Sequence, residues 1–163
     1  HQVVRRQRQM CIRDSYKAIG EIGIDLYHEK KYFEQQVYVF EEQIKLALEN
    51  NLPIVIHSRD SFDEIFEVLK KYNSNKLRGI FHCFTGNKEQ ANKIIDLNFH
   101  LGIGGVVTFK NGKISEFLGS IPLDRIVLET DSSFIKTNFS KSDPIKKTPG
   151  RTTYSSRRFI LPF

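Results

Sequence analysis

From Ala18 to Glu129 the chain alternates short apolar stretches with longer segments whose apolar residues recur at steps of three and four. That alternation constrains the fold more than any other feature, because strands separated by helices form a parallel sheet with the helices packed over it. Ala18 to Ile24, Pro53 to His57, Gly79 to His82, His100 to Gly104 and Arg125 to Glu129 read as strands. The stretches PIVIH and RIVLE lack the in-and-out alternation of a half-exposed sheet, which fits burial on both faces. Tyr32 to Asn50 reads as a helix, since Phe33, Val37, Phe40, Ile44, Ala47 and Leu48 fall on one face. A second helix is expected after Asp60, with Ser61 and Glu64 at capping-box spacing and Phe62, Ile65, Phe66 and Leu69 along one side. Asn87 to Leu97 is expected to form a third, capped by Asn87, and Lys113 to Leu118 a short fourth. The order β-α-β-α-β-α-β-α-β suits a barrel or an open doubly wound sheet.

Length and charge narrow the class further. With 163 residues, the chain suits a single domain or part of a larger one. A hydrophobic share of 39% and a charged share of 27% are those of a globular protein, not of a disordered one. No apolar run approaches the roughly 18 residues that cross a bilayer, and no signal-peptide pattern opens the chain, so a soluble cytoplasmic protein is expected. The two cysteines, Cys11 and Cys83, have no Cys-x-x-Cys spacing and are too few for a disulfide framework. The net charge of +6 would suggest a nucleic-acid surface if it lay on the patterned part. It lies at the ends instead: residues 1 to 14 carry four Arg against one Asp, residues 136 to 163 seven Lys or Arg against one Asp, and residues 15 to 135 are left at −3. Residues 1 to 15 resemble a translated library adapter and are set aside from the fold. Residues 136 to 163 read as an irregular, frameshift-like tail, which leaves 16 to 135 as the patterned unit.

In a parallel β/α fold the functional residues gather at the C-terminal ends of the strands. Strand one holds Glu21 and runs into Asp25, and strand two ends at His57 and is followed by Arg59. Strand three ends at His82, beside Cys83; strand four runs into Gly102, Gly104 and Gly105; strand five ends at Glu129, followed by Asp131. Imidazole and carboxylate together suit zinc, manganese or magnesium. A pair of such ions about 3.5 to 4 Å apart would acidify a water and polarise a phosphoryl oxygen, so a hydrolase is the expected chemistry. Singly, each residue has a plainer role: a strand-end His hydrogen-bonded in place, Glu21 in a salt bridge, Asp131 as a loop cap, and Cys83 as a small buried packing residue. His28 and His100 are not at strand ends, and G-x-G-G does not open a helix as a dinucleotide motif must. What raises the site above these is that four candidates share corresponding ends of different strands.

The segments AIGEIGID (18 to 25), LPIVIHSRD (52 to 60), GIFHCFTG (79 to 86), LGIGGVVTFK (101 to 110) and IVLETDS (126 to 132) resemble, in order, the signature segments of the TatD family. The resemblance implies part of a metal-dependent-hydrolase (β/α)₈ TIM barrel, about the last five strands of it. It also implies a deoxyribonuclease or related phosphodiesterase with two or more divalent ions (Mg, Mn or Zn), acting on DNA or an oligonucleotide, with a monomer expected. By the match, Glu21 is similar to the metal-bridging carboxylate, and His57 and His82 to imidazole ligands. Asp131 resembles the last-strand ligand that also takes the proton from the attacking water, Arg59 a contact for substrate phosphate, and Asp25 a residue that orients a ligand. The family's first-strand His-x-His pair has no counterpart in this sequence. An eight-stranded barrel does not close from five strands, so an inactive fragment is one expectation for this polypeptide. Related barrels also hydrolyse amides or esters, which carboxylate and imidazole ligands alone do not separate from phosphodiesters.

Overall fold

The computed structural model describes residues 16–72, 74–109 and 113–130. The segments 1–15 and 136–163, and Asp131 with them, lie outside the described residues.

Five strands form one parallel sheet: β1 (Ile19–Asp25), β2 (Ile54–Arg59), β3 (Gly79–Phe81), β4 (Phe99–Ile103) and β5 (Ile126–Leu128). Between them lie α1 (Phe33–Glu49), α2 (Phe62–Lys71), α3 (Lys88–Asp96) and the single turn α4 (Ile114–Phe117). The expected elements are all present, with boundaries moved by a residue or two. Strand order follows chain order, β1-β2-β3-β4-β5. A doubly wound sheet reverses its order at a switch point, whereas a barrel adds each strand beyond the last, and the observed order is the barrel's.

The two faces of this sheet carry different loads. Ile22, Ile24, Ile54, Ile56, Phe81, Phe99, Leu101 and Ile103 face the helices and join Phe40, Ile44, Ile65, Leu69 and Ile94 in one large buried cluster. Stacked and edge-on rings of Phe62, Phe66, Phe81, Phe84 and Phe99, with centroids 5.6 to 6.2 Å apart, tie α2 to β3 and β4. The opposite face carries a small apolar cluster, Val55, Ile80 and Val127, with Ala18 packed against it. Because side chains alternate along a strand, two residues beyond these three are His57, His82 and Glu129. The inner face is therefore apolar in its middle and polar at the C-terminal end of the strands.

Local sequence sets two of the details that position this end. Asn87 accepts a hydrogen bond from Gln90 N at 2.9 Å and Gln90 returns one from Asn87 N at 2.9 Å, so α3 starts on a complete capping box. The capping box expected of Ser61 and Glu64 does not form. Ser61 is buried and its hydroxyl donates to Ile24 O at 2.5 Å and accepts from Arg59 N at 3.2 Å. That hydroxyl ties the ends of β1 and β2 together at the cost of the helix cap.

Candidate metal centre

Glu21 owes its placement to an irregularity in β1. Gly20 pairs with Val55 and Ile22 with Ile56, so Glu21 is the extra residue of a β-bulge, a device that redirects a side chain without ending the strand. Two residues further, Gly23 has φ 141°, and a Cβ there would overlap the His57 carbonyl. Only glycine lets β1 run this close to β2 at the level of His57.

Two imidazole–carboxylate pairs lie toward the C-terminal end of the sheet. On one side His57 Nε2 lies 3.1 Å from Asp25 Oδ2, with the two side chains 38% and 37% exposed. Asp25 Oδ1 also accepts from Tyr27 N at 2.9 Å, and the Gln36 amide bonds both backbone groups of Asp25. Desolvation pushes the Asp25 carboxyl up, but the Tyr27 N–H, the His57 hydrogen bond and the charges of His57 and Arg59 outweigh it and hold it below the usual range. The Arg59 guanidinium lies over the Tyr27 ring at 3.7 Å, which steadies it at the rim.

On the other side His82 Nδ1 lies 2.8 Å from Glu129 Oε2, and these side chains are 8% and 3% exposed. The other oxygen of Glu129 accepts from Cys83 N. Cys83 has φ 45°, a left-handed conformation uncommon for a side-chain-bearing residue and characteristic of constrained sites. It is half-buried, not the interior packing residue expected from sequence, and its side chain hydrogen-bonds His82. That bond, then the hydrogen bond and charge of Glu129, push the His82 imidazole up to about 10 against the opposing effect of burial.

His82 Nε2 faces Glu21, with Glu21 Oε1 3.9 Å away. Metal–nitrogen and metal–oxygen bonds are each about 2.1 Å, so one cation can be reached by both atoms. The donor set of imidazole nitrogen and carboxylate oxygen also fits zinc, manganese or magnesium. Of the residues singled out from sequence, Glu21 approaches His82 to 3.9 Å, Asp25 pairs with His57 at 3.1 Å, and Arg59 ends β2 beside that pair. Glu129, noted from sequence only as a strand terminus, belongs to the same cluster. Its spacing of 47 residues from His82 carries no local signal.

A singly wound parallel sheet with imidazole and carboxylate donors at the strand ends of its inner face defines the class of β/α-barrel metal-site proteins. The profile of TatD related DNases matches residues 2–157. The chain belongs to that family. It is 42% identical over 129 residues to YabD of Bacillus subtilis (strain 168), an uncharacterised metal-dependent hydrolase, covering 78% of this chain and 51% of the relative. A second relative, the metal-dependent hydrolase YjjV of Escherichia coli K12, is 34% identical over 128 residues, covering 78% of this chain and 49% of the relative. The crystal structure of YjjV, a TatD homologue, matches with a TM-score of 0.73 at 30% identity, covering 88% of this chain and 57% of that one. The chain thus spans about half the length of the curated relatives it matches. No helix among the described residues is long and apolar enough to cross a membrane.

Proposed function

We propose that the complete protein is a divalent-metal-dependent phosphodiesterase that releases nucleotides from single-stranded DNA ends. The observation that carries the proposal is the 3.9 Å approach of Glu21 on β1 to His82 at the end of β3, with the His57–Asp25 pair and Arg59 toward the ends of the neighbouring β1 and β2 strands. The DNase family name supports phosphodiester over amide or ester substrates.

Glu21 would supply a carboxylate ligand, and His57 and His82 imidazole ligands, to the divalent cations. When bound, divalent cations supply Lewis acidity toward a phosphoryl oxygen and a more acidic water. Asp25 orients His57 through the 3.1 Å contact. Arg59, its guanidinium 3.7 Å from the Tyr27 ring centroid, offers paired N–H donors to a phosphate. Asp131 takes the proton from the attacking water.

The test is release of nucleotides from end-labelled single-stranded DNA by the complete protein with manganese or magnesium. Glu21→Gln is expected to abolish release while leaving the fold intact. Wild-type rates in that variant, or turnover of amide or ester substrates with DNA untouched, would overturn the assignment.

A further inference from the structure

We infer that Glu129 is a positioning residue for the metal centre, locking the His82 ring with Nε2 turned toward Glu21. The inference rests on the metal-centre reading above and adds a residue to it.

Four observations converge. The carboxylate engages two partners at once, His82 Nδ1 at 2.8 Å through Oε2 and the Cys83 N–H through Oε1, which fixes its plane. It is 3% exposed, so water does not compete for either contact. Its neighbour on β4 is Gly102, where a Cβ would overlap the carboxylate, so space for this side chain is built into the adjoining strand. Cys83, whose N–H meets Oε1, has φ 45°, a left-handed conformation of the kind held at constrained sites.

The chemical consequence lies in the tautomer. A carboxylate accepts and does not donate, so in the neutral ring the proton stays on the nitrogen facing Glu129 and Nε2 is the nitrogen left to bind a cation. Nε2 lies 3.9 Å from Glu21 Oε1. An amide at position 129 reverses this: its carbonyl keeps the Cys83 N–H while its NH₂ faces Nδ1, driving the ring proton onto Nε2. The competing arrangement seats the cation among His82, Cys83 and Glu129 themselves, whose ligand atoms lie within 4.8 Å of one another. With the metal on Nδ1, that arrangement breaks the 2.8 Å contact to Glu129.

Zinc-loaded complete protein with ¹⁵N-labelled histidine separates these by NMR. The expected spectrum shows His82 protonated at Nδ1 and metal-bound at Nε2. Direct titration should show zinc affinity reduced about 10- to 100-fold in Glu129→Gln, with the far-UV circular dichroism of the metal-free protein retained. Metal on Nδ1, or unchanged zinc affinity in Glu129→Gln, overturns the inference. If the variant does not fold, the wild-type spectrum decides alone. If wild-type protein shows no zinc on His57 or His82, the underlying metal-centre reading fails instead.

Discussion

The centre contains the same chemical pair twice, in two settings. Asp25 and His57 meet at 3.1 Å with more than a third of each side chain in solvent, while Glu129 and His82 meet at 2.8 Å and are almost fully enclosed. Charges facing water are screened and gain little from pairing, whereas a buried pair cannot lose one member without leaving the other stranded. The difference teaches that the β3–β5 side of the centre is a fixed anchor, and the β1–β2 side an adjustable mouth where Arg59 sits.

The largest expected effect breaks the anchor. His82→Ala leaves the Glu129 carboxylate buried without its imidazole, at a cost of about 3 to 5 kcal/mol in chemical unfolding of the metal-free protein. The same pair sets a pH window. The His82 pKa is raised in the folded state from 6.5 to about 10, so the stability it contributes is complete below 6.5 and is lost as pH rises toward 10. Metal-free wild type should therefore weaken across that interval, and His82→Ala should not show that loss.

Next in size is Gly102→Ala, which crowds the carboxylate from β4. Overpacking of this kind costs about 1 to 3 kcal/mol, readable by thermal unfolding, and zinc affinity should fall with it. Ser61→Ala tests a buried polar prop under the mouth, the hydroxyl joining Ile24 O to Arg59 N. Its loss should cost about 1 to 2 kcal/mol in denaturant unfolding. Smallest is His57→Ala, at about 0 to 1 kcal/mol in the same assay, because Asp25 keeps its contact with Tyr27 N and remains partly solvated. Equal losses from His57→Ala and His82→Ala would erase the contrast between the two sides.

The sequence made legible whatever is written in local order. Helical periodicity marked α1, α2 and α3, and Asn87 and Gln90, three residues apart, form the cap at the start of α3. Strand-end placement picked out His57 and His82, whereas Glu21, expected at a strand end, is the third residue of β1. It was less informative where a long-range partner overrides a local one. Ser61 has the spacing of a cap, but Ile24, 37 residues earlier, takes its hydroxyl. Glu129 looked like the end of a strand, and only the register of β3, β4 and β5 brings it onto His82. The bulge that isolates Glu21 is likewise invisible in AIGEIGID, since it exists only in the pairing with β2. Choosing a barrel over a doubly wound sheet needed strand order, which no periodicity encodes.

The most direct test of a cation centre anchored on the buried side is anomalous diffraction from crystals of the complete protein grown with manganese. The account predicts a peak within bonding distance of both Glu21 and His82 Nε2, with Glu129 still on Nδ1. A peak remote from Glu21, or manganese bound to His82 Nδ1 in place of Glu129, would contradict it.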